Sequence, residues 1–342
     1  MTDLQEFATY REIKSQTEAW DQALEVVNAS RFALPKAGDY DQVVFTGCGS
    51  TYYLALAAAA LYQELTGCAA RAVPSSELLL NSRTVVRDST SHLLVSISRS
   101  GTTTETIKAV EKFKAEKRGE VLVISNYDEA LSRLADVNLV IDKGQEESVA
   151  QTRSFASMFV AATALCASMA KREDLIEAMG RLPRIGNSVI SNYESWAQSM
   201  GENLEFDRFY FLGSGIRYGL ACEANLKMKE MTLTHSEPFH FLEFRHGPMS
   251  MVNQNAVVVG LVSDANRVQE AKVLSEMEGL GAKVVGLGES EADIEFKSGI
   301  PESVRGVFSL PVLQLMAFYR SLAKGLNPDR PNNLTAVVKL NF

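Results

Sequence analysis

Three stretches of the chain carry side chains that could do chemistry. The first runs Ser98-Arg99-Ser100-Gly101-Thr102-Thr103-Thr104-Glu105-Thr106, directly after the apolar run His92 to Ser98. It is rich in hydroxyls, Gly101 lets backbone approach a ligand closely, and a following helix N-terminus would offer unbonded N–H groups. Together these could bind a phosphate dianion without a metal. The competing reading is a Ser/Thr helix cap on a tight turn. The second stretch is Glu223-Ala224-Asn225-Leu226-Lys227-Met228-Lys229-Glu230. On a helix Glu223, Lys227 and Glu230 share one face, and alone they would read as a solvated salt-bridge stripe. The third gathers His235, Glu237, His240, Glu243, Arg245 and His246 before a Gly247-Pro248 break, so three of the four histidines fall in one short segment. Carboxylate beside imidazole is what proton transfer next to a carbonyl requires. The histidine spacing contains no HExxH and suits no regular ligand set, so no metal is expected. His235 and His240 read individually as packing or hydrogen-bonding residues.

A fourth motif, Gly47-Cys48-Gly49-Ser50-Thr51-Tyr52, resembles a dinucleotide fingerprint, but Tyr52 stands where the third glycine belongs. No acidic ribose partner is evident about 20 residues later. A nicotinamide cofactor is therefore not expected. A Gly turn presenting Ser50 and Thr51 to a polyol is more plausible, beside the plain strand-to-helix turn. The plain turn is the reading for the sister motif Gly213-Ser214-Gly215.

The elements that must position these residues come in two copies. DQVVFTGCGSTYYLA from Asp41 recurs as DRFYFLGSGIRYGLA from Asp207. Each copy reads as a short strand (Val43 to Phe45; Phe209 to Leu212), a Gly-x-Gly turn and a small-residue helix. HLLVSIS and EVLVISN then bracket TETIKAVEKFKAEK, and AVVVGLV and AKVVGLG bracket RVQEAKVLSEMEG. Apolar runs alternating with amphipathic helices predict an α/β fold of two tandem domains, each a parallel sheet flanked by helices on both faces. The expected organisation is a helical arm over 1–34, a first domain over 35–190 with the phosphate-binding loop, and a second over 191–342 with a tail over the active site. Open sheets of this kind bind ligands beyond the carboxyl ends of their strands. There the second half has Val262-Ser263-Asp264-Ala265-Asn266, with an acid and no hydroxyl run, so only the first domain is expected to hold phosphate.

Composition narrows the classes further. The 342 residues are 46% hydrophobic and 22% charged, enough for about two domains with real cores. A net charge of −8 with scattered basic residues argues against nucleic-acid binding. Cys48, Cys68, Cys166 and Cys222 form no CxxC pair, which fits a reducing cytosol. The charged start predicts no signal peptide. The run Phe155 to Ala170 falls short of the roughly 20 residues of a span, so it is expected to be a buried helix, with no membrane partner.

Tandem Gly-turn α/β domains, SRSGTT, the KMKE helix and EFRHGP together resemble the double sugar-isomerase-domain (SIS) proteins. This family includes the isomerase half of glucosamine-6-phosphate synthase and stand-alone amino-sugar-phosphate deaminases. The likeness covers nearly the whole chain, and its most specific element is the spacing from Glu230 to His246. It implies that Ser98, Arg99, Ser100 and Thr103 match the phosphate loop and that Ser50 and Thr51 match sugar-contacting residues. Val149, Ala150 and Gln151 match a segment lining the sugar site. Glu230 matches the base that moves a proton between C1 and C2, and Lys227 a lysine near the C1 and C2 oxygens. His246 matches the histidine that helps open the sugar ring from the partner subunit, which implies a homodimer.

Two departures stand out. The chain starts Met-Thr and has no cysteine before Cys48, so glutamine-dependent synthesis is not expected. Ala336 stands where the synthase tail carries a lysine, and Lys339 lies three residues later as the tail's candidate substrate contact. In an extended tail these two would point to opposite faces, so no Schiff base is expected. The resemblance thus implies a cytoplasmic phosphosugar isomerase/deaminase without cofactor or metal. Its expected reaction takes glucosamine 6-phosphate to fructose 6-phosphate and ammonia. The alternatives are a deglycase of fructosyl- or glucosyl-amine 6-phosphates, a simple phosphosugar isomerase, and a non-enzymatic sugar-phosphate sensor.

Overall fold

The computed structural model describes residues 3–88 and 90–340, which form two compact units, neither contiguous in sequence. One unit comprises Ser15–Glu146, Arg153–Pro183 and the tail from Thr335. The other comprises the residues up to Lys14, Glu147–Thr152 and Arg184–Leu334. Helix α1 (Ala8–Ser30) contributes to both.

The first unit holds five strands, β1 (Gln42–Gly47), β2 (Ala70–Pro74), β3 (His92–Ser98), β4 (Gly119–Ser125) and β5 (Val137–Val140). Between and after them run helices α2 (Ser50–Thr66), α3 (Ser75–Leu80), α4 (Ser82–Val85), α5 (Thr104–Ala115), α6 (Arg153–Met169) and α7 (Glu173–Met179). Pairing is parallel throughout, in the order β2-β1-β3-β4-β5. Every residue of β3 is buried, as befits a strand covered on both faces. Helix α6 is the buried helix expected over Phe155 to Ala170.

The second unit holds α8 (Leu182–Glu202), β6 (Arg208–Leu212), α9 (Ile216–Thr232), β7 (His235–Phe239), β8 (Ala256–Leu261), α10 (Arg267–Gly279), β9 (Lys283–Gly288), β10 (Ile294–Glu295) and α11 (Ser309–Ala323). Its sheet is also parallel, in the order β10-β9-β8-β6-β7. Read from β7, that is the order of the first sheet. The fold is α/β with two parallel five-stranded sheets, each flanked by helices. The central strands and the helices between them match the sequence reading. The edge strands β2, β5, β7 and β10 are additions, and all four are short.

The two Gly-x-Gly turns explain why the repeat is written in glycine. A Cβ on Gly47 would lie 2.5 Å from Thr51 Oγ1 and 2.6 Å from the Thr51 carbonyl carbon. One on Gly213 would lie 2.4 Å from the Arg217 carbonyl oxygen. In both sheets the first helical turn crosses the strand end at a distance only glycine permits. The second glycine turns the chain: Gly49 has φ 56°, ψ −124° and Gly215 has φ 57°, ψ −130°, a region closed to side chains.

In the second unit, carboxylates tie down the pieces that are distant in sequence. Glu194 of α8 accepts from Tyr10 (2.6 Å), Tyr319 (3.0 Å) and Lys14 (2.5 Å). Desolvation works against its charge, but these partners outweigh it and hold its carboxyl below the usual range. Asp329 caps α1 by accepting from the Ala8 and Thr9 N–H groups. Glu12 accepts from the N–H groups of Glu147 (2.6 Å) and Ser148 (3.3 Å). Among the described residues one helical stretch, Gly306–Ala323, is long and apolar enough to cross a membrane, and 83% of it is buried inside the protein.

Gly49→Ala should lower stability by about 1–3 kcal/mol through its backbone conformation. Gly47→Ala should cost at least as much, because its clash is with backbone that cannot swing aside. Urea unfolding checks both; a Gly47→Ala variant with the parental midpoint would refute the close approach.

Candidate active site

The strand order of the first sheet reverses between β1 and β3, and such a switch point opens the crevice where doubly wound sheets bind ligands. Two loops flank it. After β1, Ser50 and Thr51 are both buried at the start of α2. The Thr51 hydroxyl accepts from the Cys48 N–H (2.9 Å) and donates to the Cys48 carbonyl (3.0 Å), so it closes the turn. After β3, Ser98 accepts from the Gly101 N–H (3.2 Å) and Ser100 from the Thr102 N–H (3.2 Å). The Ser100 and Thr103 hydroxyls stand 3.5 Å apart. Thr103 is the N-cap of α5 yet makes no side-chain cap hydrogen bond. The plain cap reading fails at that residue, and its hydroxyl remains available beside the helix N-terminus.

Arg99 departs from the simple phosphate-loop picture. Its side chain is 7% exposed, lies 3.6 Å from the Glu146 carboxylate and donates to the Ala336 carbonyl at 2.7 Å. Lys339, further along the same tail, is exposed, while the Leu340 N–H donates to Thr104 Oγ1 at 3.1 Å. Behind the loops lies a buried hydroxyl chain that the sequence did not disclose. Thr46 meets Ser75 (3.2 Å), Ser75 meets Thr106 (3.2 Å), and Thr106 meets the Cys48 thiol (3.5 Å). Burial pushes the Cys48 thiol pKa up, which marks it as packing rather than as a nucleophile.

The equivalent switch point of the second sheet, between β6 and β8, is already filled. Glu302 accepts from the N–H groups of Asp264 (3.0 Å) and Ala265 (3.3 Å) and pairs with Arg217 at 2.5 Å. Asp264 in turn pairs with Arg305. A carboxylate of the chain itself thus sits on the loop N–H groups where an anion would otherwise go. Nothing local in the sequence marks Glu302 for this role.

Helix α9 carries the proton-transfer candidates. Lys227 is completely buried, with its ammonium 2.6 Å from Glu230 and 3.3 Å from Glu223. Desolvation pushes its pKa down, but the two carboxylates outweigh that and raise it above the ordinary lysine value. The face that alone would read as a solvated stripe is therefore a buried charge cluster, open to solvent only at Glu230, which is 20% exposed. His246 sits on the loop after β7, held from behind by the buried Phe244 and by a two-pronged Arg245–Glu276 pair (2.6 and 2.9 Å). Its own imidazole is exposed and, among the described residues, makes no hydrogen bond or ion pair. His240 stacks on Tyr218 with ring centroids 3.9 Å apart, and burial lowers its pKa, in keeping with a packing role. In the 147–152 segment Val149 donates to the Asp329 carbonyl (2.9 Å), and Ala150 is buried. The Gln151 side-chain oxygen is buried and accepts no hydrogen bond among the described residues.

Ser50, Thr51, Ser98, Arg99, Ser100, Thr103 and Lys339 thus belong to one unit, and Val149, Ala150, Gln151, Lys227, Glu230 and His246 to the other. No group of three or more His, Cys, Asp or Glu close enough to hold a metal occurs among the described residues. A family model described as the SIS domain matches residues 39–168 and 205–295. The chain belongs to the SIS family. An SIS relative, the isomerizing glutamine–fructose-6-phosphate aminotransferase of Pyrococcus horikoshii, is 29% identical over 87% of the chain and 52% of its own length. The chain therefore spans about half the length of the curated relatives it matches. Among solved SIS-like structures, a glucosamine-6-phosphate deaminase from Thermotoga maritima superposes with a TM-score of 0.83 at 26% identity, over 97% of this chain and 100% of its own. A tagatose-6-phosphate ketose/aldose isomerase from Escherichia coli superposes at 0.85 and 24% identity, over 94% of this chain and 95% of its own, which shows the shared fold.

Two substitutions test this electrostatic account. Lys227→Met strands two carboxylates, one of them fully buried, and should cost about 3–5 kcal/mol by urea unfolding. A neutral result would refute the charge cluster. Glu302→Ala should lower stability by about 1–3 kcal/mol, and inorganic phosphate should restore more of it than it adds to the parent. Equal phosphate responses by thermal shift would refute the filled-site interpretation.

Proposed function

We propose that this SIS-family chain is a phosphosugar isomerase/deaminase that converts an aminohexose 6-phosphate, glucosamine 6-phosphate in the first instance, to the ketose phosphate and ammonia. The observation that carries this reading is the fully buried Lys227 ammonium, held against Glu230 on a helix that leaves Glu230 as the cluster's exposed end. Likeness to the Thermotoga maritima deaminase along that protein's whole chain supports nitrogen release over nitrogen transfer. Ala336, where the family's synthases have a tail lysine, supports it too.

The phosphate would be held by the Ser98, Ser100 and Thr103 hydroxyls and the α5 N-terminus, so that binding energy at C6 positions C1 and C2. Ser50, Val149, Ala150 and Gln151 would line the sugar, with the unpaired Gln151 oxygen accepting from a sugar hydroxyl. In a homodimer, His246 of the partner subunit would assist ring opening; an exposed, unpaired imidazole on a firmly held loop suits that task. Glu230 would remove the C2 proton, giving an enolamine, and return a proton to C1. Lys227 would stabilise the developing oxygen charge. The resulting imine at C2 would add water and release ammonia. No redox change occurs and no cofactor is invoked.

The test is an ammonia-release assay with glucosamine 6-phosphate, coupled to detection of fructose 6-phosphate, with Glu230→Gln in parallel. The expected result is turnover by the parent and a loss of about 10²–10⁴-fold or more in the variant, with substrate binding retained. Parental turnover by Glu230→Gln would remove Glu230 as the base. Phosphosugar binding without ammonia would redirect the reading to a deglycase, a plain isomerase or a sensor.

A further inference from the structure

Within the first unit, the tail from Thr335 is fastened to the anion loop at two points. One is the Arg99 guanidinium donating to the Ala336 carbonyl at 2.7 Å; the other is the Leu340 N–H donating to Thr104 Oγ1 at 3.1 Å. Arg99 and Thr104 bracket the hydroxyls of Ser100, Thr102 and Thr103 in the sequence. The four-residue step from Ala336 to Leu340 spans roughly 13 Å when extended. The tail therefore runs along the loop that the phosphate reading depends on.

Arg99 is itself held from the other side. Its guanidinium is 7% exposed, and the Glu146 side chain that faces it at 3.6 Å is fully buried. Glu146 also accepts from the Ser154 N–H (2.9 Å) and hydroxyl at the start of α6. A buried pair of this kind persists only when its remaining donors and acceptors are filled. The Ala336 carbonyl fills one of those of Arg99. The positive charge of Arg99 is thereby balanced by Glu146, and one donor is spent on the tail. The hydroxyls and the α5 N-terminus are left to meet an anion.

We infer that Arg99 is a positioning residue that latches the C-terminal tail onto the anion loop through the Ala336 carbonyl, with Glu146 as its buried counter-charge. The latch stands on geometry within one unit; only its effect on turnover rests on the function proposed above.

The experiment compares the full-length parent with Arg99→Met and Arg99→Lys in three measurements. Amide hydrogen exchange is followed over 335–340, trypsin cleavage after the exposed Lys339 is timed, and inorganic phosphate binding is titrated. Arg99→Met should speed both tail readouts by about tenfold or more, the loss of one charge-assisted hydrogen bond. Its phosphate affinity should stay within about threefold of the parent. Arg99→Lys cannot meet Glu146 and Ala336 at once in the guanidinium's fork geometry, so its tail should also loosen. Because it leaves no buried charge unpaired, it decides the matter if Arg99→Met fails to fold. Unchanged tail readouts in the folded variant would overturn the latch. So would a tenfold or greater loss of phosphate affinity with the tail still protected, since Arg99 would then be a direct ligand. Because none of these readouts needs a sugar substrate, a failure of the deaminase assay would leave the outcome interpretable.

Discussion

Parallel pairing throughout each sheet sends every strand's carboxyl end to one edge, and the chemistry of the chain follows from that constraint. At such an edge the ladder stops and backbone groups need partners, so polar side chains are well placed there. In the first unit that edge gathers Ser98 at the end of β3 and the Thr46–Ser75–Thr106–Cys48 chain beneath it. In the second it gathers Asp264, Glu302 and Arg217. Strand β3 is buried along its whole length.

The duplicated scaffold separates what backbone geometry dictates from what side chains decide. Gly49 and Gly215 adopt nearly the same φ and ψ, and the two sheets share one strand order. The loops after the equivalent strands β3 and β8 keep a serine that accepts from the N–H three residues on, but otherwise differ. One carries a run of hydroxyls, and the other carries N–H groups already occupied by a glutamate. A copy that satisfies its own loop gains rigidity and gives up a ligand site. The second unit's distinctive chemistry sits instead on α9, where an ammonium is held between two carboxylates.

Much of this was legible in the sequence because the relevant residues are close together in it. The Gly-x-Gly turns, the Ser98–Thr103 run and the Glu223/Lys227/Glu230 face are each contiguous or helical, so spacing alone exposed them. The limits of α10 agree with the segment RVQEAKVLSEMEG, and β3 with HLLVSIS. What stayed hidden depends on partners far along the chain. Glu302 lies 38 residues from Asp264, and nothing local marks it as the occupant of a loop. Nor does anything local mark Glu146 as the counter-charge of Arg99, 47 residues away. Charge periodicity on α9 could not tell a wet stripe from a dry cluster, because both obey the same i, i+4, i+7 spacing. The edge strands escaped for a different reason. β7 reads HSEPF, with a proline and alternating polar groups, and β10 has only two residues, so neither has the apolar run that makes a strand visible.

The discontinuous make-up of the two units also bears on how the molecule comes into being. The chain passes from one unit to the other after Lys14, Glu146, Thr152, Pro183 and Leu334. A ribosome that has delivered the first sheet in full has not yet made the strand of tail that lies along its loop. The opening turns of α1, by contrast, must wait for Glu194 and Asp329 before their donors are satisfied. Neither half can be completed from its own stretch of message. Splitting the chain at its midpoint would yield two fragments that each lack a piece held by the other. Completion of the Ser98–Thr106 loop is thus deferred until the tail has been made, an order of assembly that a simple head-to-tail duplication would not have imposed.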